Sequence, residues 1–216
     1  MILLGNTVGR QFFISQFQRE VINGCLLGDG RLECRSREGS ARLRIHHGWK
    51  QKELIFWKYQ VLKSLVSCSP RKIVSWKNPR NGEDYYSWYF HTRTIPEFRR
   101  LYKVFYSGGR KILPENISDL LTSLSLAVWV MDDGCFDGKS LILNTQHLSF
   151  ANNKALQEVL KRKFDLDSGI NKDRKNWRLR IYRKSFRRLQ SLIKPYIIPS
   201  MKYKIVPVET ESVRTR

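Results

Sequence analysis

Two stretches decide how this chain reads: Ile22-Asn-Gly-Cys-Leu-Leu-Gly-Asp29-Gly30 and Leu126-Ala-Val-Trp-Val-Met-Asp-Asp133-Gly134. Each is an apolar run closed by Asp-Gly. An aspartate at a helix C-terminus meets the negative end of the macrodipole, an unfavourable placement by ~0.3–1 kcal/mol. The glycine after it is suited to end the helix. Met once, such a conflict is ordinary. Met at matching places in two halves, it implies that a cation turns the liability into a binding site. Lys111-Ile-Leu-Pro114 follows the first stretch and Lys204-Ile-Val-Pro207 the second. The same signals in the same order mark an internal duplication.

Between these landmarks the hydrophobic period alternates in the same way twice. Ala41 to His47 has the two-residue period of a half-buried strand. Gln51 to Val66 carries Leu54, Trp57, Val61, Leu62 and Leu65 at helical spacing. Lys72 to Trp76 and Tyr85 to His91 read as strands around a turn rich in Asn, Pro and Gly, and Pro96 opens a helix to Tyr106. The second half predicts a strand at Leu141 to Gln146, a helix at Phe150 to Phe164, strands at Ser168 to Lys172 and Trp177 to Tyr182, and a helix at Ser185 to Tyr196. The expected fold class is therefore α+β, with two pseudo-symmetric αββαββα repeats. The boundaries are 1–110 and 111–216, with the join near Ser107 to Pro114. No low-complexity linker separates the halves, so they are expected to pack together.

Composition narrows the partner. Forty Lys and Arg against 19 Asp and Glu leave a net charge of +21, which a polyanion would relieve. The longest uncharged apolar run, Leu120 to Met131, is shorter than the ~18 residues a membrane-spanning helix needs. Met1-Ile-Leu-Leu-Gly-Asn has no basic n-region, and no Arg- and Ser-rich leader follows, so the chain is expected to be made where it works or to have lost its leader. Cys25, Cys34, Cys68 and Cys135 lack zinc-ligand spacing and are expected to be reduced and mostly buried. Asp137-Gly-Lys139 lacks a partner carboxylate, His46-His47 lacks a third ligand, and no phosphate-loop motif is present.

The two stretches resemble the repeated motif of the LAGLIDADG homing endonucleases, in the single-chain form with two copies. The first copy keeps Gly24, Asp29 and Gly30; the second keeps Leu126, Ala127, Asp133 and Gly134. Leu126 to Gly134 with Leu143-Asn-Thr-Gln146, and Ile193 to Lys204, resemble the branch found in organellar rRNA-gene introns. The similarity runs over about residues 15 to 207. It implies paired motif helices at the centre and two antiparallel sheets forming a DNA-binding saddle. Asp29 and Asp133 would then be catalytic, each serving one strand of double-stranded DNA at a long asymmetric site. Mg²⁺ or Mn²⁺ would be held by Asp29 and Asp133, with the carbonyls of Gly28 and Asp132 as further ligands. Lys111 and Lys204 match the family's active-site lysines. A monomer encoded in a mitochondrion or chloroplast is implied, with a bacterial cytoplasm the lesser alternative. Some relatives assist intron folding, so an RNA-binding maturase, with intron RNA as partner, is the rival reading. A basic ribosome- or nucleoid-associated protein is a second.

Gly24 and Gly28 give the first helix a small-xxx-small face. Val128 and Asp132 hold the matching places in the second, so looser or offset packing is expected there. DNA reading is assigned to the strands. Arg42, Arg44 and His46 share one face, Arg178, Arg180 and Tyr182 another, and Asn144 and Gln146 line up on a third strand. Lys72 and Trp88 complete the set. Arg, Asn and Gln suit bidentate readout of base edges. From residue 161 to 188, twelve positions are Lys or Arg and three are acidic, which suits phosphate contact.

Overall fold

The computed structural model describes residues 12–34 and 40–206; the Met1 start and Pro207 lie outside the described residues. Helix α1 (Gln16–Leu27) begins where the Ser15 hydroxyl accepts the Gln18 backbone N–H and the Gln18 side chain accepts the Ser15 N–H in return. That reciprocal cap satisfies two otherwise orphaned donors. Strands β1 (Arg31–Cys34) and β2 (Ala41–Gly48) follow, then α2 (Lys52–Val61), β3 (Arg71–Lys77), β4 (Asp84–His91) and α3 (Pro96–Phe105). A small hairpin of β5 (Tyr106–Ser107) and β6 (Arg110–Lys111) and a short α4 (Ile117–Leu120) lead to the second unit. There α5 (Ser123–Asp133), capped by Thr122 and Ser125 as α1 is by Ser15 and Gln18, starts the same order again. It continues through β7 (Gly134–Phe136), β8 (Leu141–Leu143), α6 (Phe150–Phe164), β9 (Ser168–Asp173), β10 (Asn176–Ile181) and α7 (Arg183–Ile193).

The two sheets have matching antiparallel topology, β1-β2-β4-β3 and β7-β8-β10-β9. Each buries one face under helices: Ala41, Leu43, Ile45 and Phe90 in the first, Leu141, Leu143, Leu179 and Ile181 in the second. Alternation puts the intervening residues on the open faces. The expected α+β repeat is observed, with local differences. The helix expected to reach Val66 ends at Val61 and tightens to a 3₁₀ turn at Lys63–Leu65. The strand expected to Gln146 stops at Leu143.

Helices α1 and α5 pack side by side, and α5 is buried on every side from Leu124 to Asp132. A helix apolar all round belongs in a core. The expected looser packing is not what forms. A β-carbon added to Gly24 would lie 2.5 Å from the Ser125 carbonyl oxygen and 2.6 Å from Val128 Cβ; one on Gly28 would lie 2.6 Å from Asp132 Cβ. The glycines of α1 are the sockets for the larger side chains of α5, so a single small-residue face gives close approach. The other glycine expectation holds for Gly134, which caps α5, but not for Gly30, because α1 already ends at Gly28. Neither Gly30 nor Gly134 has a positive φ. They are needed because a β-carbon would strike the Cys25 carbonyl oxygen at 2.7 Å and the Val130 carbonyl oxygen at 2.5 Å. The cysteines form no disulfide among the described residues, but only Cys25 is buried; Cys34 is intermediate, and Cys68 and Cys135 are exposed. The expectation of mostly buried thiols fails because both exposed thiols lie away from the helix-covered faces.

Candidate active site

The pairing of α1 with α5 brings the two Asp-Gly ends into one neighbourhood. Asp133 is partly exposed; burial, then the nearby Asp29 and Asp132 carboxylates, push its carboxyl up to about 7. The two neighbouring carboxylates thus add to the cost of ionising Asp133. A divalent cation would remove that cost.

The lysines close the site with the same geometry in each half. The Lys111 ammonium donates to the carbonyls of Gly28 at 2.8 Å and Gly30 at 2.9 Å. The Lys204 ammonium donates to the carbonyl of Gly134 at 2.6 Å and reaches that of Asp132 at 3.5 Å. Both therefore sit at the turn that carries their half's aspartate. Lys111, at the first residue of the expected C-terminal unit, reaches back to serve the N-terminal one. Burial pulls both amines below the ordinary lysine range, against the opposing pull of the aspartates. The carbonyls of Gly28 and Asp132 thus already accept from lysine, yet each keeps a second lone pair for a metal.

The structure adds a group that the sequence reading did not assign. The carboxylate of Asp132 points inward, fully buried. It accepts from the Lys58 ammonium at 2.5 Å and from the Asp29 backbone N–H at 3.3 Å. Lys58, itself 0% exposed, also contacts His47 Nε2 at 2.9 Å. His47 Nδ1 faces Asp29 Oδ2 at 3.5 Å. Burial and the Lys58 charge hold the His47 imidazole well below its ordinary range, so it is neutral. Cys25 lies among these groups, and burial pushes its thiol up to about 12.

The assigned DNA-reading residues divide. Arg42, Arg44 and His46 share the open face of β2 as expected; Arg42 pairs with Glu33 at 2.7 Å and Arg44 at 3.5 Å. His46 contacts the Ser87 hydroxyl at 2.7 Å. Arg178 and Arg180 lie on the open face of β10, paired with Asp173 at 3.4 Å and Asp137 at 2.6 Å. Tyr182 lies over the same face, its hydroxyl filling the space above Gly169. Asp137, set aside as a nuclease acid, instead caps its own turn through Lys139 and Ser140. Two expectations are corrected. Trp88 pairs in register with His47 and with Lys72, so both lie on the helix side of the sheet. Trp88 stacks there on Trp49, and Lys72 covers the rings of Trp49 and Tyr86. Asn144 and Gln146 lie beyond the end of β8. The Asn144 amide donates to the Asp133 carbonyl at 3.0 Å, and that of Gln146 to Asp173 at 3.1 Å.

A twofold α+β scaffold with one aspartate and one lysine per half at its axis defines a class of nucleic-acid hydrolase. Residues 19–189 match the LAGLIDADG DNA endonuclease family, and the chain belongs to it. Members of that family depend on a metal for cleavage. The chain is 31% identical to the cytochrome b mRNA maturase bI2 of Debaryomyces hansenii, over 86% of this chain and 72% of that protein. It is 29% identical to the bI2 maturase of Saccharomyces cerevisiae over 86% of this chain, spanning only 46% of that protein's length. DNA endonuclease I-ChuI of Chlamydomonas applanata is 26% identical, over 89% of this chain and 95% of its own. Among solved structures, the homing endonuclease I-WcaI bound to its DNA recognition sequence superposes with a TM-score of 0.83 at 29% identity, covering 91% of this chain and 88% of that one.

Proposed function

We propose that this chain is a site-specific homing endonuclease that cuts both strands of duplex DNA by metal-dependent phosphodiester hydrolysis. The observation that carries the reading is the twofold placement of Asp29 with Lys111 and Asp133 with Lys204 at the paired ends of α1 and α5. In this reading the units 1–110 and 111–216 each supply one half of a monomer's site, and the target is long and asymmetric. The donor set is all hard oxygen, two carboxylates with flanking carbonyls, which fits Mg²⁺ or Mn²⁺. The burial and like charge that raise the Asp133 carboxyl are what a bound cation would offset. When bound, such an ion lowers the pKa of an attacking water and offsets charge on the leaving oxygen. Lys111 and Lys204 hold the turns that aim the aspartates and place positive charge where the phosphorane-like transition state is most anionic. The open-face arginines, now paired with Glu33, Asp173 and Asp137, are pre-aimed donors that base edges and phosphates can take over.

The maturase names among the relatives favour a second role on intron RNA, compatible with the same basic surface. The names of intron-encoded relatives also support an organellar origin. Plasmid carrying the target, incubated with Mg²⁺, tests the main reading. Wild type yields linear product, whereas Asp29→Asn and Asp133→Asn do not. Linear product from both variants refutes it, and faster intron splicing with both aspartates replaced identifies a maturase.

A further inference from the structure

We infer that Lys58 is a positioning residue for the cleavage centre: its ammonium is a built-in cation that clamps Asp132 and His47 and so sets where Asp29 stands. The inference rests on the nuclease reading above. Ligand atoms of Asp29, His47 and Asp132 lie within 4.8 Å of one another, an arrangement that by itself resembles a metal site. That space is already served by a cation. The Lys58 ammonium is 2.5 Å from Asp132 Oδ1 and 2.9 Å from His47 Nε2, and both Lys58 and the Asp132 side chain are fully buried.

The hydrogen-bond directions then follow. An ammonium can only donate, so His47 Nε2 is the acceptor and the ring proton sits on Nδ1. That N–H is buried, with the Asp29 carboxylate and the Gln51 side chain as its polar neighbours. It faces Asp29 Oδ2 at 3.5 Å. Asp132 Oδ2 meanwhile accepts the Asp29 backbone N–H. Asp29 is thus addressed twice, at its amide and at its carboxylate, and both routes end on Lys58. A group at this remove from the reacting atoms acts by fixing ligand orientation.

Among the described residues, the second half lacks this device. Gly134 pairs with Leu143, and two residues on, Thr145 makes a neutral contact with Asn153 at 2.6 Å. Asp133 is flanked instead by the Asn144 amide on its own carbonyl. The clamp is therefore a feature of one centre, reached across the helix pair from the N-terminal unit.

The test uses Lys58→Met, and Lys58→Met with Asp132→Asn so that no uncompensated buried carboxylate remains. Duplex affinity measured in Ca²⁺ stays within about twofold of wild type, because Lys58 is fully buried and out of reach of a bound duplex. The single-turnover cleavage rate falls by roughly 10–100-fold and the Mg²⁺ concentration for half-maximal rate rises, the size expected for loss of a ligand-orienting partner. Independently of cleavage, ¹⁵N-resolved NMR of the metal-free wild type shows His47 as the Nδ1–H tautomer, and the double variant loses that preference. Finding Nε2–H in the wild type overturns the clamp even if no variant folds, and so does a double variant that cleaves at the wild-type rate with unchanged Mg²⁺ dependence. A wild type that shows the Nδ1–H tautomer but cuts no target refutes the nuclease reading and leaves the clamp geometry standing.

Discussion

Replacing Gly24 with alanine tests whether the aspartates depend on the contact between α1 and α5. The new β-carbon would meet the Ser125 carbonyl oxygen at 2.5 Å and Val128 Cβ at 2.6 Å, where ordinary contact begins at 3.4 Å. The oxygen belongs to the backbone of a helix buried on all sides, so no side-chain rotation relieves the clash. The helices must part by a large fraction of an ångström. Overpacking of this kind costs ~1–3 kcal/mol. At ~2–4 °C per kcal/mol for a domain of this size, the melting temperature falls by ~2–12 °C. Separation at Gly24 is transmitted one turn on to Gly28 and Asp29, and misplacement by ~1 Å can cost ~10²-fold in rate. Calorimetry gives the first number, and single-turnover cleavage well below the melting transition gives the second. A variant melting within ~1 °C of wild type and cutting at the same rate would show that the helices do not touch as described.

Three further outcomes follow from the same geometry. Asp132→Asn strands the buried Lys58 charge and costs ~3–5 kcal/mol in urea unfolding, whereas joint replacement with Lys58→Met recovers most of the loss; a mild single variant contradicts the buried pair. Asp133 has its folded pKa raised to about 7 from 3.8. Its ionised form is therefore the destabilising one, with the penalty absent below about pH 4 and complete above pH 7. Bound Mg²⁺ should raise the melting temperature more at pH 8 than at pH 6, and an equal or reversed increment contradicts the assignment. Finally, if ~10 phosphates are contacted, log affinity for duplex falls against log salt with a slope near ~−9; a slope near zero removes the role given to the +21 charge.

The duplication and most elements were legible because period and punctuation agreed. Phe150–Phe164 forms the helix its spacing predicts, with Ser149 as cap and Asp165 as a left-handed terminator. The aspartate and lysine pairs were legible from repetition. What failed depended on pairing and on distant partners. Tyr85 to His91 is aromatic on both parities, so only register reveals that Trp88 and Lys72 face the helices. Asn144 continues the pattern of β8 but turns away to hold the Asp133 carbonyl. Lys58 reads as an ordinary solvated lysine on an amphipathic helix; its burial is set by Asp132, which lies 74 positions away. The one-sided fit of α1 glycines to α5 side chains was missed because a helix–helix contact was expected to need small residues on both partners.

In the proposed reaction, Asp29 and Asp133 jointly hold divalent ions against the two scissile phosphates. Anomalous diffraction from crystals of the chain with its target duplex, soaked in Mn²⁺, measures this directly. Metal peaks are predicted within ~2–2.6 Å of oxygens from both Asp29 and Asp133. Peaks coordinated by neither carboxylate, with DNA bound across the saddle, would contradict the account.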